Sequence, residues 1–335
     1  MAARHNIIKN NKPAREKLML SKICKTKNLL SACILLLLVY MFLEPQRSLA
    51  ASQRGLLLWA NTLLPTLLPF MILSSLVIRI GTAERLLAPF SPIFRVLLGL
   101  SPAGTYCYLM GLLCGYPMGA KLAADLYREE RISLTEALYL LTFCNNPSPV
   151  FVTTYLLLQC LHMPQYTLAT FAILYSADLA TSLVFRIRFS PGGSGRKRKE
   201  IPPLPSIGKL LDISIMNAFG TITRLGGFII LFSVLSAALG QYLPQTLGNA
   251  VPCLLGLLEI STGLEAIAAS SMPAAVRYTL SICAASLGGL CILAQTCTVL
   301  EGSRLPLRPY LEGKIVNGSF TLLFCLLFLK SIQVI

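Results

Sequence analysis

The sequence predicts an all-α, polytopic membrane protein with two inverted repeats, each carrying a re-entrant hairpin and a broken helix. Three observations predict it. Apolar residues gather into runs long enough to cross a bilayer, basic residues keep to one side of those runs, and the second half repeats the order of the first.

Of the 335 residues, 55% are hydrophobic and 13% charged, against roughly 25% charged in a soluble domain. Several apolar runs reach the roughly 20 residues needed to span a hydrocarbon core of about 30 Å. Lipid contact, not a water-soluble core, accounts for this composition. The net charge is +15, and eight of the 29 Lys and Arg precede Asn28. Four more form Arg196-Lys197-Arg198-Lys199. These tracts flank apolar spans, as the positive-inside rule requires of cytoplasmic segments, so the lipid bilayer and not nucleic acid is the expected partner. The eleven cysteines are scattered without a C-x-x-C pair, and the histidines are His5 and His162. Neither a disulfide framework nor a metal site can be read from them, and no cofactor is expected.

In order along the chain, 1–28 reads as a basic cytoplasmic tail. Residues 29–54 read as an extra, uncleaved N-terminal helix (29–43) and a loop, because Glu44-Pro45-Gln46-Arg47 follows instead of a cleavage site. The first repeat is placed at 55–185 with spans at 56–78, 133–160 and 164–185, and the second at 209–335 with spans at 210–239, 276–300 and 315–333. Two apolar stretches, 102–119 and 250–272, are interrupted by Gly115-Tyr116-Pro117-Met118-Gly119 and by Glu259-Ile260-Ser261-Thr262-Gly263. Each reads as a re-entrant hairpin, tolerated at membrane depth only where protein or water satisfies its backbone. The stretch 84–100 looks interfacial, and 186–208 is a basic cytoplasmic linker.

With the basic tail inside, counting the spans puts the linker and the loop with Arg304, Arg308 and Lys314 inside as well. The first repeat then begins outside and the second inside. Order and spacing also match. Gly111-Leu112-Leu113 opens one tip and Gly256-Leu257-Leu258 the other, 145 residues later. The break Asn145-Asn146-Pro147-Ser148-Pro149 corresponds to Ser286-Leu287-Gly288-Gly289 at an offset of about 142, and Asn61 to Asn217. An inverted-topology repeat of this kind is the plan of many secondary transporters.

The stretches Gly111-Leu-Leu-Cys-Gly-Tyr-Pro-Met-Gly-Ala-Lys121, Ile132-Ser133-Leu-Thr-Glu136-Ala, Phe143-Cys-Asn-Asn-Pro-Ser-Pro149 and Trp59-Ala-Asn-Thr-Leu-Leu-Pro-Thr-Leu-Leu-Pro-Phe70 resemble the sporulation integral membrane protein YlbJ family. The resemblance covers about residues 40–330. That family carries the nucleoside recognition or Gate domain and is similar in plan to concentrative nucleoside transporters. The resemblance implies a bacterial endospore former, with the protein in the outer forespore membrane moving dipicolinic acid from mother cell toward spore.

In this plan the tips and broken helices meet near the midplane. A half-helix N-terminus carries roughly half a positive charge and can bind a carboxylate. At the first break Asn145, Asn146 and Ser148 supply hydrogen-bonding groups, and two prolines force the helix to stop and restart. The alternative is a proline kink capped by asparagines. Tyr116 could stack on an aromatic acid or simply pack. Lys121 could face a substrate carboxylate or pair with Asp125 one turn on. Glu259 and Glu265 are intramembrane acids and therefore candidates to take a coupling proton or Na+; the alternative is a hydrogen bond that holds the hairpin. Ser261 and Thr262 could coordinate an ion or cap the next limb. Gln295 and Asp178 are further candidates, Asp178 near the cytoplasmic end of its span.

The expected function is transport of a small organic anion. Nucleoside transport, or a non-transporting assembly role in spore maturation, are the alternatives. An enzyme is not expected, since H-E-x-x-H, G-x-S-x-G and a usable histidine are all lacking. The sequence leaves homo-oligomerisation open.

Overall fold

A computed structural model describes residues 28, 31–80, 82, 89, 91–189 and 206–332. The basic tail before Asn28, the Arg196–Lys199 tract and residues 83–88 lie outside the described residues. The fold is all-helical. Among the described residues four helices are long and apolar enough to cross a membrane, or up to six if each of two bent pairs is one span. The described residues divide into two compact units, one ending at Ala51 and the other beginning at Ser52. In the first, α1 (Ser31–Leu43) exposes Leu36, Phe42 and Leu43, as a lipid-facing helix does. α2 (Pro45–Leu58) occupies the stretch expected to be a loop. Proline is well suited to open a helix, where its missing N–H would be unpaired anyway.

In the second unit a wide π-type turn, Trp59–Leu63, precedes α3 (Leu64–Ile80). Pro65 has no N–H to offer the carbonyls one turn back, which favours a change of ladder at that point. After α4 (Ser91–Leu98), the first hairpin is α5 (Pro102–Cys114) and α6 (Met118–Arg128). Its tip turns on Gly115, at φ +83°, a conformation glycine adopts without penalty. α7 (Leu134–Leu141) starts on Ser133, whose hydroxyl accepts from the Glu136 N–H at 3.1 Å. In a capping box the glutamate reaches back to its own N-cap. Here Glu136 instead accepts from the backbone N–H of Ser101 at 2.7 Å, the N-cap of α5. One acid thereby fixes two helix starts. Residues 142–150 are non-helical for most of their length, and a wide helix, Phe151–Cys160, completes the broken span. α8 (Thr167–Phe189) closes the half.

The second half follows the same order. α9 (Ile207–Tyr242) is 36 residues long. The second hairpin is α10 (Ala250–Leu258) and α11 (Ile260–Ala268), joined at Glu259. The second broken span is α12 (Ala274–Leu287) and α13 (Gly289–Leu300), broken at Gly288 with φ +82°. α14 (Arg308–Ser331) begins before the expected span and takes Arg308, Glu312 and Lys314 into the helix.

Corresponding parts pack on one another. α3 lies against α9, and α8 against α14. Trp59, the single tryptophan, donates Nε1–H to the Ile222 carbonyl of α9 at 2.8 Å. Gly226 lacks the Cβ that would meet the indole ring. Within each hairpin the limbs touch at glycines. A Cβ on Gly111 would lie 3.0 Å from the Gly119 Cα, and one on Gly263 would strike the backbone of Gly256. Each tip also sits on the break that follows it. Gly115 faces the Ser148 backbone, and Gly289 faces the Leu257 carbonyl at 3.0 Å from a built Cβ.

Candidate functional site

Because the tips rest on the breaks, polar groups from four separate segments converge. Asn145 leads them. Its Nδ2 donates to Thr296 Oγ1 of α13 at 3.2 Å, and its Oδ1 faces the Ala120 N–H of α6 at 3.5 Å. The Tyr310 hydroxyl of α14 joins the same pair. The first break is therefore held to the second half by its own asparagine.

On the far side of Ala120 and Thr296 are Lys121 and Gln295. Both line a pocket of about 240 Å³ with Arg128, Asn217, Thr221, Arg224, Phe228 and Glu301. Lys121 is 6% exposed and pairs with Asp125 at 2.6 Å; Arg128 shares that carboxylate at 2.6 Å. One aspartate thus faces two cations, and Arg224 adds a third to the wall. Glu301 offsets part of this, leaving the lining net positive. Gln295 donates weakly to Cys291 Sγ at 3.3 Å, while its Oε1 is buried without a partner. The sequence reading did not select Arg224, Phe228 or Thr221. They stand about one turn apart on α9, a spacing that puts them on one face, yet only the neighbouring α6 and α13 give that face a pocket.

Asn146 points away from the pocket. Its Nδ2 donates to Phe143 O at 2.7 Å and to Asp178 Oδ2 of α8 at 2.8 Å. The other Asp178 oxygen accepts from Asn317 Nδ2 of α14 at 2.8 Å. Asn317 Oδ1 accepts from the Ser286 hydroxyl. Lys314 Nζ donates to the Ser286 carbonyl at 2.7 Å and is the opposite charge acting on Asp178. This network joins both breaks through α8 and α14. Lys314 read as a loop charge and Asn317 as a lone polar residue in an apolar span, and only the packing of α14 against α8 brings both to Asp178.

The remaining candidates stand elsewhere. Ser148 Oγ accepts from the Phe151 N–H at 3.2 Å and caps the second half-helix. The Tyr116 ring packs edge-on to Phe151 with centroids 6.2 Å apart, and its buried hydroxyl has no partner. That hydroxyl lies within electrostatic reach of Glu259 and Cys291, so the two tips are neighbours. Glu259 is 2% exposed and caps α11, accepting from Ser261 N at 3.0 Å, Thr262 N at 2.8 Å and Thr262 Oγ1 at 2.9 Å. Three donors to one carboxylate satisfy most of its acceptor capacity. Glu265 is exposed and accepts from the Tyr155 hydroxyl at 3.0 Å, which ties α11 to the helix after the first break. Among the described residues no group of three or more His, Cys, Asp and Glu could hold a metal ion.

Comparison with known proteins agrees with the resemblance carried by the motifs. The Gate family model, described as nucleoside recognition, matches residues 60–158. The sporulation integral membrane protein YlbJ of Bacillus subtilis (strain 168) is 27% identical over 344 residues, which cover 91% of this chain and 83% of that protein. No solved structure matches. Residues 60–158 contain the first hairpin and the first break, whereas Arg224 and the second hairpin lie beyond them.

Proposed function

We propose that this membrane protein, with its Gate domain and its likeness to YlbJ, is a secondary transporter of a small organic anion. The dicarboxylate dipicolinic acid is the substrate that the resemblance suggests, and the outer forespore membrane the site of action. The supporting observation is the net-positive pocket built by Lys121, Arg128 and Arg224. Arginine presents a planar fork that holds a carboxylate bidentately, and Phe228 offers a ring face for an aromatic acid. At about 240 Å³ the pocket is smaller than the roughly 300–1,000 Å³ of drug-sized sites, which suits a single-ring compound. In the inverted-repeat plan this pocket lies on the cytoplasmic side, next to the loop after α13.

Reconstituted vesicles provide the test. Purified protein should take up pyridine-2,6-dicarboxylate at least tenfold faster than empty vesicles, while uridine uptake stays at background. Uridine flux without dicarboxylate flux would reverse the substrate assignment. No flux of either, under proton or Na+ gradients, would leave the assembly role as the better reading.

A further inference from the structure

We infer that Asp178 is a proton-binding site, and that its protonation state couples the two helix breaks to one another. The inference rests on the transport reading only for the use to which the proton is put. Its basis is the network itself. Asp178 is 2% exposed, and its two oxygens are divided between two amides, Asn146 at the first break and Asn317 on α14, each at 2.8 Å. Asn317 continues through Ser286, two residues before Gly288, into the second break. Lys314 holds the Ser286 carbonyl, an acceptor freed at the end of α12. One carboxylate thus ties together two backbone interruptions that are 140 residues apart in sequence, as Asn146 and Ser286 are.

The surroundings favour a proton over a metal ion. Both oxygens face N–H donors, and Lys314 is the nearby positive charge. Na+ would need several inward-facing oxygens, and here it would meet N–H groups. A proton adds no such demand. It binds one carboxylate oxygen, and the amide that donated there loses its acceptor. Lys314 at the same time loses its counter-charge. The first loss loosens the link to one break, and the second removes the charge that keeps Lys314 at the Ser286 carbonyl of the second break, so one proton perturbs the network that joins the two. A cavity of about 10 Å³, bordered by Asn146, Asp178, Ser286 and Asn317, has room for about one water as the immediate proton donor. The other ionisable groups facing the pair are Tyr108 on α5, Tyr175 on α8 and Cys144 beside Lys314.

A merely structural ion pair would hold the helices but show no reversible protonation. Infrared difference spectra of the purified protein over a pH series separate the two. A carboxylic-acid band should appear reversibly in the parent, vanish in Asp178→Asn, and persist in Asp178→Glu. Lys314→Gln should move the midpoint of its titration. An unchanged band in Asp178→Asn overturns the inference, as does a parent without any such band. In vesicles, Asp178→Asn should lose at least tenfold of the pH-driven accumulation of pyridine-2,6-dicarboxylate yet keep counter-flow exchange within about twofold of the parent. Parental accumulation in that variant also overturns it. If the parent moves no dicarboxylate, the transport reading fails, and the infrared series still decides whether Asp178 binds a proton. Should Asp178→Asn not fold, Asp178→Glu and Lys314→Gln carry the comparison.

Discussion

Arg224 stands halfway along α9, on the face that borders α13, and its guanidinium forms part of the pocket wall. Arg224 is exposed, so if it receives a substrate carboxylate, Arg224→Gln removes a charged partner worth about 1–2 kcal/mol. We expect the apparent affinity for pyridine-2,6-dicarboxylate to fall at least fivefold, with Arg224→Lys recovering part of it because the charge remains and the fork does not. Normal affinity in Arg224→Gln would remove the residue from the site. The sequence showed Arg224 only as a single charge between Thr223 and Leu225. Asn145, by contrast, was legible, because two adjacent amides just before two prolines in an apolar span need partners. Which partners they find depends on α8, α13 and α14, and no local pattern encodes that. The same limit applies to Glu259, visible as an intramembrane acid, whose capping role follows from three donors that only the turn brings together.

At the scale of elements, the hairpins depend on backbone contact, between their own limbs and with the break that follows. A Cβ at Gly119 would collide with the Cys144 carbonyl, and one at Gly263 with the Gly256 backbone, neither of which can rotate aside. Alanine favours a helix over glycine by roughly 1 kcal/mol, but forcing the backbones apart costs about 1–3 kcal/mol. Gly119→Ala and Gly263→Ala should therefore lower the thermal midpoint in detergent. Gly220→Ala, with nothing within 4 Å of its Cβ, should leave it unchanged or slightly raised. If all three behave alike, close limb packing does not hold the hairpins together. The breaks were readable in advance because they are written in Pro, Gly and polar residues, whose backbone effects are local. Element ends were less readable. α2 extends through Gln46, Arg47 and Ser48, and α14 through Arg308 and Glu312, since charged residues at a helix end are as compatible with helix as with loop.

For the whole molecule, the order of elements and the paired packing of α3 with α9 and α8 with α14 fit two related halves, and their opposite orientation is the part to be measured. Single cysteines in an otherwise cysteine-free protein test it. Arg308→Cys should react from the cytoplasm and Thr246→Cys only from the opposite side; labelling of both from one side would sink the inverted arrangement. Orientation was inferred from the distribution of basic residues, a bias of the chain's flanks that packing does not report. The length of α9 has a further consequence. At 1.5 Å per residue its 36 residues extend roughly 54 Å, far more than a hydrocarbon core of about 30 Å, and a tilt within the usual range does not absorb the excess. Its last 18 residues, Leu225–Tyr242, carry no charge and are roughly 27 Å long. If that charge-free stretch is the part that fills the hydrocarbon core, the bilayer boundary falls beside Arg224. The arginine then lies where water ends and lipid begins, and hydrophobic mismatch sets its depth: a thicker membrane draws the guanidinium toward hydrocarbon, and a thinner one returns it to the headgroups.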